Sequence, residues 1–406
     1  MIKNYNAEIN IFFILLIIFN IGCNDVSVFP KFDENQKKPN EYDSLKFSNE
    51  IQLSTNPTFG SFQTTFKINL LINDTTLKIN QVKYDFTNDN NYDTSFTLLD
   101  TVRTRFTKFG YNKIIASVYF ENDSVLSCST DVWLTEPKPI SADGHVYFEP
   151  NIYNGNFISV THGYRHQAIF FDLKTYKMEC FFCDFSSNSF TEMHISMPSF
   201  DGRKLLFDNG GQGYLFCYYD LQKNDKTTID VPLNVTNYTI GQITWSLDNK
   251  NIYAVTIDKN YVPNGIKSYN IETQQVSTIY DKGNYICIVP DHNEELAILE
   301  TITDSTSKII IYNLTAKTVE KEYNNIPFNA PFRLLHDSDR IYFDGTLSFY
   351  SLSTGKIYTM RFDEIDYHYH DPYMGEADIT MDGSKFILGT WDTNPMLYII
   401  TLPTYF

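Results

Sequence analysis

The chain has 406 residues, a formal net charge of −17 at pH 7 and 16 % aromatic residues. This length suits two or three domains rather than one. The negative charge argues against nucleic acid or an anionic membrane surface as a partner. Apolar and polar residues alternate in short aromatic-rich runs without helical periodicity after the first twenty residues, which predicts an all-β protein.

Residues 1–22 are predicted to be a signal peptide. Lys3 precedes an apolar run at 11–19, which is too short to cross the ~30 Å hydrocarbon layer as a helix and suits a secretory signal. The junction Ile21-Gly22-Cys23 resembles the lipobox of bacterial lipoproteins, which implies lipidation of Cys23. Simple secretion and a retained anchor are the alternatives. Residues 23–46 are polar, without apolar periodicity, and are predicted to be a flexible tether.

Residues 47–136 alternate like a seven-stranded sandwich, with turn clusters between the apolar runs. Two phrases resemble the polycystic-kidney-disease (PKD) family of immunoglobulin-like domains. They are Tyr84-Asp85-Phe86 followed by Asn88-Asp89-Asn90, and the run from Phe106 through Gly110 to Ile114, Ala116 and Val118. The resemblance implies an Ig-like β-sandwich that acts as a spacer or adhesive module.

A short phrase returns six times in residues 137–406: an apolar, usually aromatic residue, then Asp, Asn, Ser or Thr, then Leu or Ile. The copies are Phe171-Asp172-Leu173, Tyr219-Asp220-Leu221, Tyr269-Asn270-Ile271, Tyr312-Asn313-Leu314, Tyr350-Ser351-Leu352 and Ile400-Thr401-Leu402, at steps of 48, 50, 43, 38 and 50 residues. This period is typical of β-propeller blades, which must stack because one blade cannot bury its apolar face alone.

A second phrase precedes the first one in most units and predicts a tight turn, because Gly and Asn tolerate positive φ. It reads Ser141-Ala142-Asp143-Gly144, Ser199-Phe200-Asp201-Gly202, Ser246-Leu247-Asp248-Asn249 and Thr380-Met381-Asp382-Gly383, with degenerate copies at Pro290-Asp291-His292-Asn293 and His336-Asp337-Ser338-Asp339. An apolar strand follows each copy from the second onward. The pattern predicts four antiparallel strands per unit and a six-bladed β-propeller; a stack of sandwiches is the alternative.

Two stretches resemble the WD-like repeats of TolB-type propellers. Ser199 to Phe207 is the better match, and Thr380 to Leu388 is the second. The resemblance covers about 260 residues and implies a β-propeller, without the small α/β domain that precedes the propeller in TolB-like proteins. The predicted fold is therefore all-β: an Ig-like sandwich (47–136) followed by a six-bladed propeller (137–406).

Cys180-Phe181-Phe182-Cys183 is a C-x-x-C motif, which could indicate redox or metal chemistry. It follows a propeller phrase and a turn, so it is predicted on the outer strand of the first blade. Residues three apart on a strand point to opposite faces, so packing or a structural disulfide to another Cys is the expected role. Cys128, Cys217 and Cys287 are the other partners, and the pairing stays open.

The densest cluster of potential metal ligands contains Asp363, Glu364, Asp366, His368, His370 and Asp371, between the fifth and sixth blades. Imidazole and carboxylate groups hold zinc or similar ions, so His368, His370 and Asp371 are the candidate ligands. A solvated acidic loop is the competing interpretation. No cofactor is predicted, and no nucleophile elbow, phosphate-binding loop or dinucleotide motif occurs.

The sequence favours a lipid-anchored, exported binding or scaffolding protein over an enzyme, with a protein or glycan as its partner at the cell envelope. Predicted ligand contacts are Tyr164, Trp391, His368 and His370, aromatic and His residues expected in loops of the propeller. Membrane contact is expected through the lipid anchor only. The alternatives are a propeller enzyme acting on extracellular polysaccharide, with acids and His as acid/base groups, and a structural envelope component without a discrete ligand.

Overall fold

A computed structural model describes most of the chain after residue 49. The described ranges are 50–74, 76–89, 91–96, 101–141, 147–153, 157–162, 167–172, 178–180, 196–208, 215–222, 228–235, 242–258, 263–303, 305–337, 339–343, 347–365, 377–389 and 397–403. Every regular element in these ranges is a β-strand, which confirms the all-β prediction. Within them, no helix has the length and apolar character required to cross a membrane. The predicted signal peptide, the tether and Cys23 lie outside them.

The first lobe consists of two sheets, antiparallel except for the pairing of one short strand, that enclose one apolar core. Its described strands are β1 (Ile51–Asn56), β2 (Phe59–Gly60), β3 (Phe66–Ile72), β4 (Ile79–Asp85), β5 (Thr94–Phe96), β6 (Val102–Thr104), β7 (Gly110–Phe120) and β8 (Val125–Leu134). One sheet has the order β1-β3-β6 and the other β2-β8-β7-β4-β5, so the described strands number eight where the sequence predicted seven. Alternate residues of β7, namely Ile114, Ala116, Val118 and Phe120, are buried in the shared core. The short strand β2 accounts for the extra element.

The second lobe contains six four-stranded sheets within the described residues. The first sheet contains β10 (Tyr147–Tyr153), β11 (Phe157–His162), β12 (Gln167–Asp172) and β13 (Met178–Cys180), and the second contains β14 (Ser196–Pro198), β15 (Lys204–Asp208), β16 (Leu215–Asp220) and β17 (Thr228–Asn234). The third contains β18 (Ile243–Trp245), β19 (Asn251–Ile257), β20 (Pro263–Asn270) and β21 (Val276–Tyr280), and the fourth contains β22 (Tyr285–Ile288), β23 (Glu295–Thr303), β24 (Thr306–Asn313) and β25 (Thr318–Ile326). The fifth has β26 (Phe332–Leu334), β27 (Arg340–Phe343), β28 (Ser348–Ser351) and β29 (Ile357–Thr359), and the sixth has β30 (Ala377–Ile379), β31 (Lys385–Gly389), β32 (Leu397–Thr401) and β9 (Lys138–Ser141). Consecutive antiparallel meanders of four strands are the unit of a β-propeller.

The sixth sheet corrects the predicted boundaries of the repeat. Its outer strand is β9, which pairs with β32 in register Leu397↔Ser141, whereas the predicted propeller limits of 137–406 would make this segment the start of the first blade. The phrase that begins at Ser141 therefore connects the sixth sheet to the first, instead of joining two strands of one sheet as the later copies do. Strands from both ends of this lobe complete one sheet.

The aromatic phrase marks the end of the third strand in every sheet. Strands β12, β16, β20, β24, β28 and β32 all end on its middle residue: Asp172, Asp220, Asn270, Asn313, Ser351 and Thr401. In the third sheet, Asn270 Oδ1 accepts hydrogen bonds from the amides of Glu272 and Thr273 at 3.1 and 2.8 Å. Short polar side chains bond nearby backbone in this way and stop strands. The middle residue of the phrase is therefore a turn residue.

The Asp phrase forms a closed hydrogen-bond network between the first and second strands. In the third sheet, Ser246 Oγ donates to Asp248 at 2.6 Å and accepts from the Asn251 amide at 2.8 Å. Asp248 accepts from the Lys250 amide at 3.0 Å, and Asn249 has a φ of 60°. The second and sixth sheets repeat this network around Asp201 and Asp382. The conformation requires Ser or Thr, Asp, and Gly or Asn, but it leaves the second position free.

Neighbouring four-stranded sheets contact one another through their first strands. Strand β10 lies beside β14 and beside β30, β18 lies beside β22, and β22 lies beside β26. A β-bridge between Val235 and Thr256 joins the second sheet to the third. Between the fifth and sixth sheets, Arg333 Nε lies 3.4 Å from the nearly buried Asp378 carboxylate. Each sheet thus contacts the next along the chain, and the first also contacts the sixth.

The two lobes belong to one compact unit and share a continuous backbone contact. On one side Phe59 of β2 pairs with Trp133 of β8 in parallel register, and on the other it forms a parallel bridge with Met360, just after β29 of the fifth sheet. The Thr58 amide donates to Thr359 O at 2.8 Å, and the Arg361 amide donates to Phe59 O at 3.0 Å. Strand β2 therefore connects the five-stranded sheet with the outer edge of the fifth four-stranded sheet.

Candidate functional site

An open cavity of about 470 Å³ lies where the turns after the first strands of the propeller sheets converge. Its lining residues are Phe200, Leu247, Asp291, Asn293, His336, Met381 and Asp382. They come from the second to the sixth sheets, each from the segment that joins the first strand to the second. The corresponding segment of the first sheet lies outside the described residues. Pockets of this size, with apolar walls and a few convergent polar groups, are typical ligand sites.

The second position of the Asp phrase faces this cavity. The joining segments 199–203, 246–250, 335–339 and 380–384 each have five residues, and their second residues are Phe200, Leu247, His336 and Met381. The sequence placed the fifth copy one residue late, because Asp337, not Ser338, accepts from the amides of Asp339 and Arg340 at 3.1 and 2.9 Å. The turn network does not constrain the second position, so these side chains are free to vary.

In the fourth sheet, the joining segment is one residue longer and contributes polar groups. It spans 289–294, and Asp291 has a φ of 63°, so the positive φ stands at Asp291 instead of at the Gly or Asn of the regular turns. Asp291 and Asn293 both line the cavity. The extra residue explains why this copy of the phrase looked degenerate in the sequence.

A His–Asp pair and a second carboxylate form the polar wall of the cavity. His336 Nδ1 is hydrogen-bonded to Asp291 Oδ2, and the two side chains are 39 % and 72 % exposed. Burial opposes the charge of Asp382, but hydrogen bonds from Thr380 and Ser384, together with nearby His336, hold its pKa below the ordinary value. Asp382 is therefore ionised at neutral pH, and three titratable groups from three sheets face one space.

The apolar wall consists of Phe200, Leu247 and Met381. All three are half-buried and pack against the cluster between the third and fourth sheets, which includes Ile286 and Ile288. Met381 belongs to the sixth sheet, yet it packs against the same cluster as Leu247 of the third sheet. The turns therefore meet across the axis of the sheets, and the flexible thioether of Met381 lets this wall adapt to different shapes.

The structure does not test the ligand contacts and metal ligands that were predicted from the sequence. Tyr164, Trp391, His368, His370 and Asp371 all lie outside the described residues.

Two members of the acidic cluster, Asp363 and Glu364, lie at the junction of the lobes instead of at the cavity. Glu364 accepts from Ser61 Oγ at 2.5 Å, and Asp363 accepts from the Thr65 amide at 2.9 Å. Both residues therefore have structural partners. Across the described part of the chain, no group of three or more His, Cys, Asp or Glu side chains is placed to hold a metal ion.

Three of the cysteines that the structure describes are buried. They are Cys128 and Cys287, which form no disulfide, and Cys217. Burial raises the pKa of Cys128 to about 12. Cys180 ends β13, the outer strand of the first sheet, as the sequence predicted, and Cys183 lies outside the described ranges. Burial also raises the pKa of Cys287, so Cys128 and Cys287 are packing residues rather than nucleophiles.

Sequence reasoning missed the cavity residues because it interpreted the Asp phrase only as a turn. The available signal was the second position of the phrase, which differs from copy to copy while the positions around it match. Phe200, Leu247 and Met381 each stand between a Ser or Thr and an Asp. A repeated turn whose one free position differs in every copy is a place where side chains serve something other than the turn.

No protein-family model matches the chain, and no curated protein matches it. Its fold is similar to an oligogalacturonate lyase in complex with manganese (TM-score 0.45, 10 % identity, covering 87 % of this chain and 96 % of that chain). It is also similar to TolB from Acinetobacter baumannii (0.41, 12 %, 73 % and 78 %) and to the β-propeller domain of Myceliophteria thermophila Cps50 (Swd1) (0.40, 12 %, 66 % and 99 %). The strand order described above, rather than these distant likenesses, supports the propeller assignment.

Proposed function

We propose that this chain is a binding protein of the bacterial cell envelope, whose propeller docks a protein or a glycan in the cavity at its axis. The observation that carries the proposal is the convergence of the free position of the Asp phrase on that cavity. Four turns from four sheets place Phe200, Leu247, His336 and Met381 at one site. Since the turns need no particular residue there, binding is the simplest role for these side chains.

The architecture that we propose is a six-bladed propeller behind an Ig-like, PKD-type sandwich. Contacts between successive first strands, together with the pairing of β9 with β32, support a closed ring of six sheets. Two layers around one core support the sandwich, and Asp85 supports the PKD-like corner by accepting from the Asn88 amide at 2.6 Å. The domain limits would be 47–136 and 137–406.

Anchoring at the membrane is the part of the proposal that rests on sequence alone. The signal peptide 1–22 with Cys23 would attach the mature chain through lipid, and residues 23–46 would act as a tether. Mass spectrometry of the N-terminal peptide from the source cell tests this: an acylated Cys23 is expected, and an unmodified N-terminus at another residue would contradict it.

The binding proposal is tested by retention from solubilised envelope extracts and by a glycan array, with the full chain immobilised. Leu247→Ser and His336→Gln should each lower specific retention at least about tenfold, since each removes one wall contact worth about 1.4 kcal/mol or more. The matched control is Val276→Ser, which removes an exposed apolar side chain from the outer strand of the same sheet as Leu247. Retention that survives both cavity variants would refute the proposal.

The His–Asp pair supports a second candidate function, an enzyme acting on extracellular polysaccharide. Since Asp291 accepts a hydrogen bond from His336 Nδ1, the imidazole is oriented as a base is in acid/base catalysis, and ionised Asp382 lies nearby. Product analysis with polysaccharides separates the candidates. Turnover that disappears in His336→Gln but persists in Val276→Ser would establish an enzyme, and absence of turnover with retained glycan binding would exclude one.

A further inference from the structure

We propose that the cavity binds an exposed segment of a partner protein in which a Lys or Arg side chain stands directly beside an apolar one. This inference rests on the proposed binding function and specifies its ligand. It is drawn from the charges and the surfaces of the two walls, which line one space of about 470 Å³.

The polar wall favours a cation. Of the described residues that line the cavity, two are Asp, one is His and none is Lys or Arg. The wall therefore presents two carboxylates against one imidazole. Asp382 stays ionised because its hydrogen bonds and His336 outweigh the effect of burial. An ammonium or guanidinium group would therefore gain a charge-assisted hydrogen bond at this wall.

The apolar wall favours a ligand that has an apolar side chain beside its cation. Phe200, Leu247 and Met381 present one ring, one branched aliphatic chain and one thioether, all half-buried. Burying apolar surface of a ligand against them contributes roughly 25 cal/mol per Å². Lys and Arg have apolar stems with charged tips, so a segment with such a residue next to Leu, Val or Phe matches both walls.

The overall charge favours this partner over the other classes. The chain carries −17, which raises the association rate of cationic partners and repels acidic glycans, phosphates and nucleic acids. Neutral sugars would use the hydrogen-bonding wall but would gain nothing from its charge. A basic and apolar segment of a protein is the ligand that uses every described property of the cavity.

The experiment measures fluorescence anisotropy of three labelled hexapeptides with the full chain. The probes have Gly at both ends and Leu followed by Lys, Leu followed by Gln, or Ser followed by Lys at the centre. Binding of the first peptide is expected, and each of the other two should bind about tenfold more weakly, the loss of one contact worth about 1.4 kcal/mol. Raising the salt from 0.05 to about 0.5 M should weaken the first peptide and not the Gln peptide.

Two variants with a matched control assign the effect to the cavity. Asp382→Asn and Asp291→Asn should each weaken binding of the Lys peptide about tenfold. The control is Asp201→Asn, because Asp201 occupies the same position in the same hydrogen-bonded turn of the second sheet but does not line the cavity. It should leave binding unchanged while altering the turn as Asp382→Asn does.

Each outcome separates this inference from the proposed function. Cavity-dependent retention of a glycan or of an acidic protein without binding of the Lys peptide would overturn the inference and leave the binding function standing. Equal affinity for the Lys and Gln peptides, or no peptide binding at millimolar concentration, would also overturn it. Loss of all cavity-dependent retention would overturn both.

Discussion

Replacing Phe59 by Ala tests whether β2 connects the two lobes mechanically. The ring is fully buried and lies 6.0 Å from Phe349 at an interplanar angle of 71°, in the cluster that also contains Met360 and Phe362. Phe→Ala in a packed core costs about 3–5 kcal/mol, of which an edge-to-face pair contributes about 0.5–1.5 kcal/mol. Because the aromatic partners of the ring, Phe349 and Tyr358, belong to the fifth sheet, we expect this loss to fall on the opening of the junction.

Native-state hydrogen exchange at the Arg361 amide measures that opening directly, since this amide donates to Phe59 O across the junction. The opening of the junction is a local event, so this local measurement is the appropriate one. Phe59→Ala should lower the protection of Arg361 by about two to four orders of magnitude. Phe207→Ala removes an equally buried ring from the second sheet and is the control. Equal protection of Arg361 in both variants would refute the coupling.

Three further predictions concern the turns and the thiols. Hydrogen bonds from Ser199 and Arg203 outweigh burial and lower the pKa of Asp201 below its ordinary value of 3.8. The stabilisation from its charge is therefore complete above that value and is lost as the pH falls through the folded-state pKa. The melting temperature of Asp201→Asn should fall less steeply with acid than that of the parent protein, and equal slopes would contradict this. Gly265→Ala should lower the free energy of unfolding measured by chemical denaturation by about 1–3 kcal/mol, because Gly265 has a φ of 77° and a Cβ would collide with Tyr280 O. Gly355→Ala is the control and should cost less, because only the far end of a Tyr side chain lies near its Cβ position. Cys128 should react with a thiol reagent only on unfolding, and rapid labelling of the native protein would show that its burial is wrong.

Much of the propeller lobe could be predicted from the sequence, because its repeats record local chemistry. The phrases at Tyr269 and Ser246 end strands and close turns with hydrogen bonds that reach only a few residues along the chain. Strand β27 (Arg340–Phe343) follows the fifth copy of the Asp phrase directly, as the pattern predicted, since its apolar residues and its preceding turn are both local signals. The four-strand order of each sheet then follows from tight turns that force antiparallel neighbours.

The errors arose where long-range pairing decided the outcome. No local property of 138–141 indicates that β9 pairs with β32, more than 250 residues away, instead of opening the first sheet. The short strand β2 also escaped prediction, because Phe59 and Gly60 form a strand only between Trp133 and Met360. The site was missed for the same reason: Phe200 and Met381 line one cavity through the arrangement of the sheets.

The sequence by itself determined the units: which residues turn, where strands end, and that each sheet has an apolar face to bury. These properties depend on side chains that bond to backbone groups nearby, so they are encoded within each copy of the repeat. The tertiary structure alone decided which strand completes the last sheet, how the first lobe contacts the fifth sheet, and that residues of five turns share one space. Such contacts join positions far apart in the chain, and their free energy comes from burial between sheets, which no single repeat can supply.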